Sequence, residues 1–221
     1  MRAAWDRFAR RAPLHFIDPS LGRGVSQDEF VAAGRANVER ALGWVGDDLA
    51  RERMLEIGCG VGRATVHFAE HFTRVDGVDI SSQMVALADA GGLPPNVTLT
   101  VTNGCDLAVF ADASFDFVFS HLVLQHIADA AVLAANLSEI ARVLRPDALA
   151  LLQFDTRARR PLAASVGLLP DRLLPARMRR HARRYPRNSS RIRDLTAAAG
   201  LAIEREDGAG TADHWLFLRP G

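Results

Sequence analysis

Eight consecutive residues, Glu56-Ile57-Gly58-Cys59-Gly60-Val61-Gly62-Arg63, crowd three glycines behind a carboxylate, and Asp79 stands 17 positions after Gly62. Glycines permit backbone conformations closed to other residues and leave no Cβ between the main chain and a ligand lying across it. A carboxylate at the tip of the next strand can accept two hydrogen bonds from the vicinal hydroxyls of a ribose. Together these residues point to a ligand that contains adenosine or a close analogue. Conformational need alone explains many glycine turns, so the reading rests on the glycines, the acid and their strand context jointly.

A dinucleotide site shares the glycine turn and the ribose acid, and it is the rival reading. It needs a third glycine where the helix packs on the strand, and a pyrophosphate at the helix amino end. Counting G-x-G-x-x-G from Gly58 puts Arg63 at the sixth position, and counting from Gly60 puts Thr65 there. The 67 residues after Phe154 are also short for a second mononucleotide half plus a substrate domain. A methyl donor built on adenosine suits the pattern better.

Positioning such a site takes alternating strands and helices, and the chain supplies them between Arg53 and Phe154. Met54–Ile57 reads as a first strand that ends at the glycines, and Ala64–His71 carries apolar residues at helical spacing. Val75–Ile80 is a second strand, after which Ser81 and Ser82 can cap a helix over Gln83–Ala90. Val97–Val101 is rich in β-branched residues, and Phe115–Ser120 is a fourth, mostly apolar strand. A helix over Ala130–Leu144 is stopped by Pro146, followed by strands over Leu149–Phe154, Leu201–Ile203 and Trp215–Leu218. Seven strands result.

The sequence is 221 residues long, 48% apolar and 24% charged, which fits one self-sufficient domain and excludes a disordered or stapled mini-protein. Residues 1–50 read as a helical N-terminal cap, 51–156 as the core, 157–198 as an arginine-rich helical insert and 199–221 as a C-terminal strand pair. No apolar run is long enough to cross a bilayer, and Met1–Phe16 lacks a signal peptide's apolar stretch, so membrane insertion is not expected and the cytoplasm is the expected location. Cys59 and Cys105 show no metal-ligand or disulfide spacing and read as small buried thiols, and no metal is expected. Residues 157–193 hold twelve Arg against one acid, Asp171, a local charge of +11 in a chain of net charge +1. Such a segment suits a solvated amphipathic cover or, as the second reading, an anionic partner.

The motifs resemble those of the class I S-adenosylmethionine-dependent methyltransferases over roughly Met54–Phe154. Leu55 to Arg63 is similar to that family's first motif, Gly77-Val78-Asp79-Ile80-Ser81 to its second, Ser114 to Ser120 to its fourth strand, and Arg142-Val143-Leu144-Arg145-Pro146 to the segment before strand five. Asp147 and Ala148 stand where the family commonly has two glycines. The resemblance implies an α/β, Rossmann-like doubly wound sheet of seven strands, mostly parallel with the last antiparallel, and helices on both faces. It implies S-adenosylmethionine as donor and S-adenosylhomocysteine as product. By position, the backbone around Gly58 and Gly60 lies against the methionine part, with Glu56, Cys59 and Arg63 as further donor-binding residues, Asp79 holds the ribose and Ile80 packs on adenine. Asn103-Gly104-Cys105-Asp106 falls where the family has a glycine-acid pair at the adenine edge, with the acid displaced by two positions. Ser120 and His121 meet the donor through their backbone.

In the segment after the fourth strand, His126 is the candidate general base, with a structural imidazole as the alternative. Trp5, His15 and Phe16 are candidates to line an acceptor pocket beneath the N-terminal cap, with ordinary packing as the alternative. His181 and Tyr185 fall in the insert, where no residue names a substrate. The expected reaction is methyl transfer to an O or N atom of a small molecule. An RNA acceptor is the rival within the enzyme class, and a non-catalytic cofactor-binding regulator the rival outside it. The oligomeric state is not legible in the sequence.

Overall fold

The computed structural model describes residues 1–11, 14, 17–18, 21–22, 24–158 and 183–221; His15, Phe16, His181 and most of the arginine-rich segment lie outside the described residues. Seven strands form one sheet in the order β3-β2-β1-β4-β5-β7-β6. They are β1 (Arg53–Ile57), β2 (Arg74–Asp79), β3 (Val97–Val101), β4 (Phe115–Ser120), β5 (Leu144–Phe154), β6 (Leu201–Asp207) and β7 (His214–Pro220). β1 to β5 pair in parallel, and β7 runs antiparallel between β5 and β6. The strand order reverses beside β1, so its carboxyl end opens on the crevice where ligands of such sheets bind.

Both faces of the sheet are covered. Leu55, Ile57, Phe115 and Val118 pack with Leu133, Leu137 and Ile140 of helix α5 (Ala130–Val143) on one side. Met54, Phe117 and Phe119 pack with Phe68, Phe72 and Val38 on the other, where helix α2 (Gln27–Val45) lies. Two covered faces explain why β4 is buried at every position, the pattern of a central parallel strand. Ser26 caps α2 in a reciprocal box with Glu29, and Ser81 caps α4 (Ser82–Ala90) by accepting from Met84 N at 3.2 Å. Helix α1 (Arg2–Arg11) packs against α4, and α6 (Ser189–Ala198) against β6. Among the described residues no helix is long and apolar enough to cross a membrane.

Three expectations are corrected. The helix after the glycine turn, α3, covers only Thr65–Phe68 rather than reaching His71. Asn96 Nδ2 donates to the carbonyls of Ala69 and Phe72, both at 3.0 Å, and so ends that helix from outside. Pro146 does not stop α5 ahead of a loop, because β5 begins at Leu144 and contains it. The pairing jumps from Phe115↔Leu144 to Phe117↔Leu149, and a proline in that bulge leaves no ladder bond unmade. Cys59 is buried as expected, but Cys105 is exposed because its loop forms a rim of the cavity described next.

Candidate active site

The turn after β1 is built by hydrogen bonds that converge on β2. Gly58 N and Cys59 N both donate to the Val78 carbonyl, at 2.7 and 3.1 Å. Asp79, at the tip of β2, accepts from Gly60 N at 3.0 Å through Oδ2 and from Ser81 N at 2.7 Å through Oδ1. Burial raises the Asp79 pKa, and the backbone donors of Ser81, Gly60 and Ile80 oppose that rise. A carboxylate offers about four lone-pair sites, so acceptor capacity remains for a ligand's hydroxyl.

Gly58 has a φ of 77°, and a Cβ placed on it would sit 2.3 Å from Val123 Cγ2. The residue is therefore required twice, by conformation and by contact. Gly58→Ala is expected to cost about 1–2 kcal/mol for the left-handed backbone and about 1–3 kcal/mol for overpacking. Urea unfolding measures the sum, and adding Val123→Ala should recover the overpacking share alone.

A cavity of about 410 Å³ lies over this turn, within the size range of small-molecule sites. Glu56, Cys59 and Arg63 join Gly58, Gly60 and Asp79 along one wall. Ile80, the loop Asn103 to Asp106, His121, His126 and Trp5 also line the cavity. Ser120 is the exception among the described candidates. It is fully buried outside the cavity wall, and its hydroxyl donates to the Ile57 carbonyl at 3.1 Å to tie β4 to β1.

The polar groups around the cavity are mutually engaged. Glu56 accepts from Thr65 Oγ1 at 2.5 Å, and burial lifts its pKa to about 7 against the pull of that bond and of Arg63. Arg63 pairs with Asp18 at 3.1 Å with both side chains buried, and its guanidinium lies 5.5 Å from the Phe30 ring. That pair fastens the N-terminal segment to the glycine turn. Asn103 Oδ1 accepts from Cys105 N and Asp106 N at 2.7 and 3.1 Å, and Asn103 Nδ2 donates to Asp106 Oδ2. The Asp106 carboxylate thus serves its own turn while lining the cavity.

Both imidazoles that line the cavity keep some surface toward it yet are surrounded by protein. Burial lowers the pKa of His121 to about 3 and of His126 to about 4, so each is neutral at pH 7. His121 lies against Trp215 with ring centroids 5.0 Å apart, and His126 meets the edge of Trp5 at 5.5 Å. His126 Nδ1 is 3.2 Å from the Arg183 carbonyl.

Several residues that shape the site carried no sequence signal. Leu122 holds a left-handed φ of 62°, and buried Gln153 Oε1 accepts its N–H at 3.0 Å, which fixes the turn that carries Val123 to Gly58. Asn136 donates to the Gly104 carbonyl at 2.9 Å and holds the loop Asn103 to Asp106. Ile17 approaches Gly60, and Arg2 Nη2 donates to the Thr102 carbonyl at 2.7 Å, so the N-terminal segment closes over the cavity. Asp6 accepts from Ser81 Oγ at 2.6 Å on the same side.

The family model described as Methyltransferase domain matches residues 55–152, the span that contains the glycine turn, Asp79 and the turn after β4. Those residues are a class I S-adenosylmethionine-dependent methyltransferase domain. Norajmaline N-methyltransferase of Rauvolfia serpentina is 30% identical to this chain over 180 residues, covering 77% of it and 59% of the relative. Ubiquinone biosynthesis O-methyltransferase of Xanthomonas oryzae pv. oryzae is 27% identical over 200 residues, covering 90% and 71%. The chain therefore spans only about three-fifths of the first relative's length. Magnesium protoporphyrin IX methyltransferase from Synechocystis PCC 6803, solved with bound S-adenosylhomocysteine, shares the fold at a TM-score of 0.65 and 21% identity, over 99% of this chain and 98% of that chain.

Proposed function

We propose that the methyltransferase domain binds S-adenosylmethionine in the 410 Å³ cavity and transfers its methyl group to an oxygen or nitrogen of a small-molecule acceptor. The observation that carries this reading is Asp79, whose carboxylate is locked by Gly60 N and Ser81 N while keeping lone pairs for a ribose. The donor fits the residues present. Gly58 and Gly60 bring main chain to the cavity, Ile80 packed against Gly104 gives it an apolar lining, and Glu56 places a carboxylate where a cationic amino group is to be held. Support for a small acceptor comes from the enclosure by α1 and from the O- and N-methyltransferases among the relatives.

The bound donor supplies a methyl group already activated by a positive sulfonium. The protein's task is alignment and exclusion of water, worth about 7–11 kcal/mol when the reacting atoms are held at attack distance. Trp5, Ile17 and Arg2 of the N-terminal segment exclude water from above. Neutral His126 stands on the wall as a proton acceptor for a hydroxyl or ammonium acceptor group.

Glu56 gives the reading a pH signature. Its pKa is about 7 in the free protein, and a donor ammonium favours the ionised form. Affinity for S-adenosylhomocysteine should therefore rise by up to about tenfold per pH unit toward neutrality and level off above it, and Glu56→Gln should be weaker and flat. Calorimetric titrations at several pH values read this directly, and a wild-type affinity independent of pH would remove Glu56 from the amino-group site.

Incubation with S-adenosylmethionine and panels of phenols, hydroxylated acids and amines tests the whole proposal through S-adenosylhomocysteine release. Release with a small acceptor is expected. Release with RNA alone, falling steeply with salt, would move the assignment to a nucleic-acid acceptor. Tight donor binding without release on either panel would favour a regulatory module.

A further inference from the structure

Beyond the insert, the chain crosses the turn that follows β4, and the crossing is stapled. Tyr185 N donates to the Gln125 carbonyl at 2.7 Å, and Arg187 N donates to the Asp155 carbonyl at 3.0 Å. The Arg187 guanidinium spans both sides of the crossing. Its Nη2 donates to the carbonyls of Ile127 and Ala128 at 2.6 and 3.1 Å, and its Nη1 to the Tyr185 carbonyl at 3.3 Å. Next to this staple lies the Arg183 carbonyl, 3.2 Å from His126 Nδ1. A carbonyl oxygen can only accept, so Nδ1 carries the hydrogen and the neutral ring keeps its lone pair on Nε2.

We infer that Arg187 is a positioning residue for His126: by fastening 183–187 onto 124–128 it holds the Arg183 carbonyl on Nδ1 and fixes the tautomer whose Nε2 accepts a proton. Two rigid arms of a planar guanidinium make this possible, since three carbonyls on two segments need donors in a fixed fork. An ammonium at the same place is a single point charge and cannot span them. Arg184 and Asp155 also face His126, and Trp5 packs against it; they bear on its charge and packing rather than on which nitrogen is protonated. The catalytic consequence, though not the tautomer itself, rests on the proposed base role of His126.

Long-range ¹H–¹⁵N spectra of the histidine rings in the full chain read the tautomer without any acceptor. Wild-type His126 should be in the Nδ1–H form. Arg187→Ala should mix the two forms, with at least about a tenfold loss of preference, while His67, His121 and His214 keep their signals. Arg187→Lys should show the same mixing, and it serves if the alanine variant does not fold. An Nε2–H form in the wild type, or an unmixed Nδ1–H form in both variants, overturns the inference. With an acceptor in hand, Arg187→Lys should lower kcat about tenfold at unchanged donor affinity. Turnover undiminished in His126→Gln would sink the base reading and leave the tautomer result standing, so the two failures are separable.

Discussion

Asp79→Ala is expected to weaken S-adenosylhomocysteine binding by at least about a hundredfold while leaving the chain folded. The size follows from charge-assisted hydrogen bonds, which contribute about 1.5–3 kcal/mol each, and from a ligand ribose that would lose two of them. A second loss is internal. Gly60 N and Ser81 N give up their acceptor, at 3.0 and 2.7 Å, so the glycine turn loses one of the bonds that join it to β2. Asp79→Asn separates these contributions because its amide oxygen keeps one backbone partner but brings no charge and fewer lone pairs. Calorimetry should order the affinities wild type, asparagine, alanine. Equal affinity in all three would mean that the ribose is not held there.

His126→Gln is expected to lower kcat on a hydroxyl acceptor by about a hundredfold or more, the range of general-base contributions, with donor affinity changed by less than about twofold. Glutamine can still donate to the Arg183 carbonyl but takes no proton. The same variant has a stability signature. Since burial lowers the folded-state pKa of His126 to about 4, the unfolded chain binds the extra proton between about pH 6.5 and 4. Stability therefore falls as pH drops through that window, with this residue adding up to about 1.4 kcal/mol per pH unit. His126→Gln should remove that share of the slope and leave the His121 share. Urea denaturation at pH 7 and pH 5 measures the difference. A kcat equal to wild type would exclude the base role, and an unchanged slope would mean that the imidazole is not held neutral.

Much of this architecture was legible because buried parallel strands write themselves as short apolar or β-branched runs. The bounds of β3 and β4 follow from Val97–Val101 and Phe115–Ser120 alone. Helix ends were less legible where a distant side chain sets them. Asn96 terminates α3 from beyond α4, and the bulge that shelters Pro146 depends on how β4 pairs with β5. The glycine turn and Asp79 announced a site because their chemistry is local. Gln153, Asn136 and the Arg63–Asp18 pair did not, since each acts on a loop that only the folded chain brings near. Cys105 and Ser120 show the remaining gap. Their positions beside the motifs were plain, but whether each faced the cavity, the solvent or the core was a matter of tertiary structure.

The central claim is that the cavity over Gly58 and Asp79 holds the sulfur nucleoside. Thermal melts of the purified protein with S-adenosylmethionine, S-adenosylhomocysteine and NAD(P)H side by side test it most directly. Ligand at about 100 times its dissociation constant adds about 2.7 kcal/mol, a rise of roughly 5–10 °C for a domain of this size. The expected result is that rise with the two sulfur nucleosides and none with NAD(P)H. A rise with NAD(P)H alone, or with none of the three, would contradict the assignment.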